Sequence, residues 1–425
     1  DLHSLRRRQR QMCIRDSAKG HRFGFFPSIA VGYNISNEKF WQPIKPVISN
    51  LKIRGSWGLV GNDATNAGRF AYMEDLVLGG SDSYTTGIRQ DTYYSGPSWN
   101  RYFNPDLTWE VGEKINLGLD LQLFNDFNLT FDIFREKRRD IFMTRENSIP
   151  EIVGTGETKI TSNNGEMENK GLDLAIDYNK QITKDFFLSF KSTLTFARNK
   201  VLKMDEPPYF EYPGLSDVGH PLGTYWGYVA DGLFPDQETI DNSPRQDLGY
   251  TPQPGDIKYV NQPNAKGEYD NVINSNDRVA IGHPYDPELV YGFGPSMKWK
   301  NWDFSFFFQG VARTSFMMYG MHPFGTTSIK NMLQFVADDH WSVDNPNPNA
   351  AYPRLTKDSN GNNDQYSTYW LRNAAFLKLK NAEIGYTYKG MRFYLSGVNL
   401  LTFSPFKHWD LSLIHISEPT RRTPI

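Results

Sequence analysis

Apolar and polar residues alternate along several stretches of this chain. In the clearest stretch, 113–123, aliphatic side chains occupy every odd position from 115 onward, and the even positions carry polar residues or glycine. The pattern recurs at 127–135, 172–178, 188–196, 302–308 and 382–388. A period of two predicts β-strands that each present one apolar and one polar face. We therefore predict an all-β, antiparallel fold.

The connections between the predicted strands are short on one side and long on the other. Short turns are predicted at Asn125-Asp126, at 179–184, at Lys300-Asn301 and at Lys389-Gly390. Long segments rich in Pro, Gly, Asn and Asp lie at 199–286 and 320–368. This segregation is typical of outer-membrane β-barrels, whereas β-sandwiches do not separate loop lengths so strictly. The alternating runs predict about 11 to 13 strands.

The two faces of these strands differ in chemistry. Charged residues fall on the polar face and are expected inside a closed barrel, since a packed soluble core would not hold them. They are Asp120, Asp132, Asp173, Asp177, Lys191 and Asp303. Aromatic residues lie near strand ends, where a membrane interface would accommodate them: Trp57, Trp109, Trp299, Trp302, Phe304 and 386–388. In an open sheet the charges would simply be solvated, and in a soluble β-protein the aromatics would belong to the core.

Composition excludes several other classes. No run of 18 apolar residues occurs, so the chain is not a helical membrane protein. A formal charge of −2 without a long basic block argues against nucleic acid as a partner. Aromatic residues make up 15% of the chain, which is too many for a disordered protein.

The two termini differ from the rest of the chain. Back-translated, 11–17 and 411–417 can be encoded by DNA strings that are reverse complements over their shared stretch, and both resemble a sequencing-library transposase adapter. We interpret 1–17 and 411–425 as translated adapter and 18–410 as the protein; the alternative is a genuine basic arm or targeting segment. The tails carry +3 and +1, which leaves −6 for 18–410 and takes away Cys13, the only cysteine.

Seven segments together resemble one family, the SusC/RagA family of TonB-linked outer-membrane transporters. They are LKIRGSWGLVGND at 51–63, NPDLTWEVGEKINLGLDL at 104–121, NNGEMENKGLDLAIDY at 163–178, GHPLGTYWGYVADGLF at 219–234, PGDIKY at 254–259, NDRVAIGHPYDPELVYGF at 276–293 and the run from YWLRNAAF to PFKHWD at 369–410. They occur in the family's order and cover nearly all of 18–410.

The resemblance implies the C-terminal portion of a 22-stranded, plugged transmembrane barrel with long extracellular loops. The plug and TonB box would lie before residue 18 and the closing strand after Asp410, so this portion is expected neither to close nor to transport by itself. The resemblance also implies a bacterial outer-membrane location and active import of oligosaccharides or peptides. The implied partners are a SusD-like surface lipoprotein, the TonB complex and outer-membrane lipid.

Motifs of catalysis are missing from the sequence, and we predict no enzyme activity. Two carboxylate pairs, Glu166–Glu168 and Asp338–Asp339, are interpreted as solvated loop residues rather than a glycosidase acid pair. His340 follows the second pair and is interpreted in the same way. Two other functions stay open: a surface glycan-binding β-protein without transport, and a secreted β-rich hydrolase.

One loop carries weak candidates for a metal site. Asp270, Asn274 and Asp277, with Asp256 nearby, supply hard oxygen ligands of the kind that calcium prefers. The alternative is a loop rich in Asx-turns, in which these side chains bond their own backbone. No other cofactor is predicted.

Aromatic residues in the long loops form two groups, Tyr225, Trp226, Tyr228 and Phe234, and Phe316, Tyr319, Phe324 and Trp341. Such rings stack on sugars or on partner proteins, and they equally pin a loop to the barrel rim. We favour pinning and predict no particular substrate-binding residue.

Overall fold

The computed structural model describes residues 18–63, 70–79, 83–145, 147, 149, 152, 160–318, 333–356 and 360–408. In chain order the strands are β1 (Ser28–Asn34), β2 (Ile48–Asn62), β3 (Asp75–Val77), β4 (Ser83–Thr86), β5 (Thr92–Ser95), β6 (Ser98–Arg101), β7 (Glu110–Leu123), β8 (Phe127–Thr144), β9 (Thr161–Thr183), β10 (Phe186–Lys203), β11 (Tyr225–Gly227), β12 (Ala230–Leu233), β13 (Arg245–Gln246), β14 (Ile257–Tyr259), β15 (Val272–Ile273), β16 (Val279–Ile281), β17 (Leu289–Trp299), β18 (Trp302–Ala312), β19 (Ser315–Met317), β20 (Leu371–Asn373), β21 (Phe376–Tyr388) and β22 (Met391–Phe403). Described helical elements are short: Ile35–Asn37, Lys39–Trp41, Gln237–Asp241, Pro213–Leu215, Ser275–Asp277 and Gln334–Asp338.

Ten strands form one sheet in the order β1-β2-β7-β8-β9-β10-β17-β18-β21-β22, and all neighbours are antiparallel. Within the described residues the edge strands β1 and β22 do not pair with each other, so the sheet is an open barrel wall. This confirms the predicted all-β, incomplete barrel. Among the described residues the barrel wall has ten strands, fewer than the 11 to 13 expected, and the other described strands form short two-stranded pairs within the connections.

The register fixes which residues share a face. Asp132 lies opposite Asp173, Asp177 opposite Lys191, and Lys298 opposite Asp303. Followed from strand to strand, these pairings place all six charges predicted for the barrel interior on one face. The opposite face carries the aliphatic and aromatic side chains, as the alternation predicted.

The apolar face forms a band of membrane-like height. On β7 it runs from Ile115 to Leu123, and eight steps at ~3.4 Å cover about 27 Å of strand. At the short-turn edge, Trp299 lies opposite Trp302, which lies opposite Tyr386, and the rings of Trp302 and Tyr386 are 4.7 Å apart. An aromatic girdle at one edge of an apolar band is the pattern of an outer-membrane barrel.

Three of the four predicted turns are confirmed: Asn125-Asp126, Lys300-Asn301 and Lys389-Gly390 each separate neighbouring strands. The last has positive φ at both residues, as a two-residue hairpin turn requires. The turn predicted at 179–184 was wrong, because β9 continues to Thr183 and only Lys184-Asp185 connect it to β10. Residues 179–183 are largely polar, yet cross-strand pairing with β10 keeps them extended.

The buried hydrophobic core does not lie inside the sheet. It lies where the connections β10–β17 and β18–β21 pack together on the long-loop side, and we call this region the loop body (204–288 and the described residues of 313–375). Its fully or nearly fully buried members include Leu233, Ile257, Tyr259, Ile273, Met318, Val336 and Trp370. Val311 of β18 and Phe376 of β21 belong to the same cluster, so the loop body is anchored on the upper ends of two barrel strands.

Candidate functional site

The polar face of the sheet carries ion pairs that cross between strands. Arg54 on β2 donates from Nη2 to Asp132 Oδ2 on β8 at 2.6 Å and from Nε to Asp120 on β7 at 3.3 Å. Higher on the same face, Glu136 accepts from Arg138 at 3.0 Å and lies 3.6 Å from the Lys114 ammonium. Interior carboxylates are thus largely paired with cations, which suits a polar lumen rather than a dry core.

Gly118 makes the contact between Arg54 and Asp132 possible, which crosses from β2 over β7 to β8. It lies on β7 between Arg54 and Asp132, opposite both in register. A Cβ at this position would lie 2.6 Å from Arg54 Cζ and 2.7 Å from Asp132 Oδ1. A residue without a side chain therefore lets a guanidinium on β2 reach a carboxylate two strands away.

The same arrangement occurs near the other edge of the sheet. Arg392 on β22 donates to Asp303 on β18 and to Glu383 on β21. A Cβ on Gly385 of β21 would lie 2.5 Å from Asp303 Oδ2. Sequence reasoning missed both glycines, although a glycine at a polar-face position between charged strands is a recognisable signal.

The loop body is held by a buried polar network. Asp256 is fully buried and accepts from Arg354 Nε at 2.7 Å and from the amides of Asn360 and Asn363 at 2.9 Å each. Asn362 donates to the carbonyl of Ile257 at 2.9 Å. These contacts join the β10–β17 connection to the β18–β21 connection. The network was also missed, since its members lie about 100 positions apart in the sequence.

The predicted calcium ligands are engaged in local hydrogen bonds. Asp277 accepts from the backbone N–H of Gln262 at 2.6 Å and of Asn274 at 2.8 Å, and Asn274 Oδ1 accepts from Asn276 N–H at 2.8 Å. Asp270 Oδ1 accepts from Val272 N–H at 3.0 Å. Burial raises the pKa of Asp277.

Asp256, the fourth oxygen donor considered for calcium, belongs to the separate buried network and not to this loop motif. In the described part of the chain, no three His, Cys, Asp or Glu side chains converge as a metal site. The local geometry matches the Asx-turn alternative, and calcium stays a prediction.

The two carboxylate pairs have different environments. Glu166 and Glu168 were expected in a loop, which was wrong, because both lie on β9 and pair with cations above the apolar band. Glu168 accepts from Arg135 at 2.6 Å and Glu166 lies 3.0 Å from the Lys137 ammonium. Asp338 and Asp339 do lie in the loop body and are exposed.

His340 does not join a cluster with the two aspartates that precede it. Its Nδ1 lies 2.8 Å from the carbonyl of Ala337. The ring is thereby tied to local backbone.

The described members of the two loop aromatic groups support pinning. Tyr228, Phe234, Phe316 and Trp341 are all buried in or beside the loop-body core. Trp226 donates from Nε1 to Asp217 at 2.6 Å, and burial raises the pKa of Tyr225 to about 12. Tyr319 and Phe324 lie outside the described residues, as do the tails 1–17 and 411–425, so the interpretation of those tails as adapter stays a prediction.

No helix in the described residues is both long and apolar enough to cross a bilayer.

Comparison with known proteins agrees with this architecture. A family model described as TonB dependent receptor-like, beta-barrel, matches residues 6–400. TonB-dependent receptor SusC of Bacteroides thetaiotaomicron is 29% identical over 419 residues, which cover 92% of this chain and 38% of that protein. TonB-dependent receptor P26 of Formosa agariphila is 28% identical over 414 residues, 92% of this chain and 39% of that protein. The chain thus spans about two fifths of the length of these relatives.

A solved structure has the same fold. The RagAB peptide transporter superposes with a TM-score of 0.69 at 20% identity, over 93% of this chain and 42% of that one. From the family match, the relatives and this architecture, we conclude that the chain belongs to the TonB-dependent receptor β-barrel family of the bacterial outer membrane.

Proposed function

We propose that this chain forms part of the wall and extracellular loops of a TonB-dependent importer for oligosaccharides or peptides. The observation that carries the proposal is the two-faced sheet: one continuous apolar face, and one polar face whose charges are paired across strands. The apolar face meets outer-membrane lipid, and the paired charges line a wet lumen. Nothing in this arrangement calls for covalent catalysis, so transport would proceed through differential binding between two states.

Relatives suggest the partners. SusC is named as a TonB-dependent receptor, and the RagAB structures are described as a peptide transporter and importer. By analogy, a SusD-like surface lipoprotein would cap the loop body and deliver ligand. The TonB complex would supply energy through a part of the whole protein that precedes this wall.

The alternative of a surface glycan-binding protein without transport fits the sheet less well. Such a protein would present polar side chains outward, yet Leu117 and Ile133 are more than half exposed within the apolar band. A secreted hydrolase would gather carboxylates in one cleft, whereas Glu166 and Glu168 are bound in ion pairs on β9.

Uptake by the whole protein tests the proposal. The full-length gene and its neighbours, recovered from the uninterrupted genomic locus, would be expressed in an outer membrane and offered fluorescent oligosaccharides and peptides. We expect accumulation in the periplasm that a protonophore abolishes. Surface binding without protonophore-sensitive accumulation would favour the glycan-binding alternative.

A further inference from the structure

A cavity of about 530 Å³ opens in the loop body beside the segment that follows β22. Three basic residues line it, Arg372, Lys407 and His408, together with the aspartates Asp338 and Asp339. It lies on the long-loop side of the sheet. None of the predictions from sequence singled out Arg372.

Arg372 is a lining cation whose hydrogen bonds, within the described residues, go to backbone carbonyls. It is half-buried on β20, and its Nη1 donates to the carbonyls of Tyr369 at 2.6 Å and Leu371 at 3.2 Å. Among the residues that the structure describes, no carboxylate forms an ion pair with it, and burial lowers its pKa. A partly desolvated, unpaired cation is costly, and the free edge of a guanidinium fork fits a carboxylate in bidentate geometry.

Aromatic rings form much of the rest of the lining. Phe335 and Tyr352 lie 5.9 Å apart, and the His408 ring stacks on Phe335 at 4.1 Å. Phe406 packs edge-on against His408 at 5.2 Å, but Phe406 and Tyr352 are both buried, so Phe335 and His408 provide the accessible ring surface. A concave site with aromatic walls and a few polar groups suits a ring-shaped ligand with an apolar face.

The charges of the lining restrict the class of ligand that the cavity could bind. Asp338 and Asp339 face the same cavity as the basic residues, so a polyanion such as an acidic peptide would be repelled while a single carboxylate beside hydroxyl groups would not. Carboxylates accept hydrogen bonds from hydroxyls readily. Uronic acids are a class of ligand that combines one carboxylate, several hydroxyl groups and a ring with an apolar face.

We propose that this cavity binds a uronic-acid residue of an oligosaccharide substrate. Arg372 holds the sugar carboxylate, Phe335 and His408 pack against the ring, and Asp338 and Asp339 accept from its hydroxyls. This inference rests on the proposed import function and narrows its substrate class.

Binding by the full-length transporter tests the inference. Tetrasaccharides that carry a single galacturonate, mannuronate or glucuronate residue would each be titrated by calorimetry beside the carboxyl-reduced form of the same sugar. We expect at least one acidic sugar to bind about 10-fold or more tightly than its reduced form, as loss of a hydrogen bond to a charged group predicts. Arg372→Gln should remove that preference, and Arg372→Lys should restore only part of it.

One control and one further variant of the lining separate recognition from folding. Arg245→Gln alters an exposed arginine of the loop body that pairs with Asp247 outside the cavity, and it should leave the preference unchanged. Lys407→Gln alters an exposed residue of the lining and should reduce the preference about two- to threefold. Affinity for the reduced sugars should survive in all variants.

The proposal is overturned if no acidic sugar is preferred, if the preference survives Arg372→Gln, or if only peptides bind. Protonophore-sensitive uptake without an acidic preference would leave the import function standing and remove this inference alone. Absence of any uptake would instead remove the import function.

Discussion

Single residues determine which charged side chains form ion pairs on the polar face of the barrel wall. Arg54 is bound by two aspartates on two different strands, and the contact with Asp132 passes over Gly118. Asp132 is nearly buried, so loss of that guanidinium would leave its carboxylate without an ion pair away from solvent. The glycine is therefore as necessary to the pair as the charged residues.

Gly118→Ala should destabilise the barrel by about 1–2 kcal/mol, because the new methyl group displaces the Arg54 guanidinium and leaves Asp132 without its cation. The loss would be measured as a lower midpoint of heat-induced unfolding of the full-length protein. Gly55→Ala is the matched control, since its Cβ would meet Leu117 at an ordinary 3.4 Å. Equal midpoints for the two variants would contradict this account of Gly118.

At the scale of elements, each barrel strand has one apolar face and one polar face. Leu117 and Asn116 are neighbours on β7 and point to opposite faces of the sheet. The outward positions are apolar only within the band; above it, Arg135, Lys137 and Glu168 occupy the same face. If the proposed lipid contact is correct, this change in chemistry is where the hydrocarbon layer should end.

Leu117→Arg should impair insertion of the barrel, by about 2–4 kcal/mol for a charge near the middle of the bilayer. Asn116→Arg on the adjacent, polar-facing position should cost much less. The measurement is the folded fraction after refolding into lipid vesicles over a urea series. The membrane assignment of this face would be wrong if both substitutions were tolerated alike.

The stability of the loop body should depend on pH in the alkaline range, because several of its tyrosines are buried. Burial raises the pKa of Tyr225 to about 12 and also raises the pKa of Tyr228, Tyr259 and Tyr369. An acid whose pKa is raised by folding keeps its proton in the folded state while the unfolded chain loses it, so stability falls as pH rises above about 10.

We therefore expect the loop body to become sensitive to protease between pH 10 and about 12, while the barrel wall stays intact. Limited proteolysis at each pH would measure this sensitivity. Parallel samples would be exposed briefly to the same pH and returned to pH 8 before digestion. Cleavage that begins in the barrel strands, or that is independent of pH, would refute the prediction.

At the scale of the whole molecule, two distant connections fold as one unit. Trp370 is fully buried, donates from Nε1 to the carbonyl of Asn363 at 2.8 Å, and packs near Tyr352. The core around it also contains Leu233 and Ile257 from the other connection. The extracellular part is thus a small domain built from loops rather than a set of independent loops.

Trp370→Ala should loosen both connections together, with a loss of about 3–5 kcal/mol of loop-body stability. Hydrogen exchange should show reduced protection in 225–281 as well as near residue 370. Trp299→Ala in the aromatic girdle is the control and should leave loop-body exchange unchanged. Loss of protection confined to the β18–β21 connection would show that the loops are independent.

The alternation of residues was enough to predict the strands, their two faces and most of the short turns. The side chains of β7 and β18 reveal their environment locally, because period two is a property of the backbone itself. The turn after β9 was misplaced because the alternation of apolar and polar residues stops before that strand ends. Residues 179–183 are largely polar, and only their pairing with β10 shows that they are extended.

Sequence by itself determined the fold class, the apolar and polar faces of the wall and the six polar-face charges. Tertiary structure alone decided which charges meet, that Asp256 joins Asn360 and Asn363, and that Arg372 lacks an acidic partner among the described residues. The physical reason is distance along the chain. A strand's face is set by neighbours two residues away, whereas these contacts join residues brought together only when the sheet and its loops have folded.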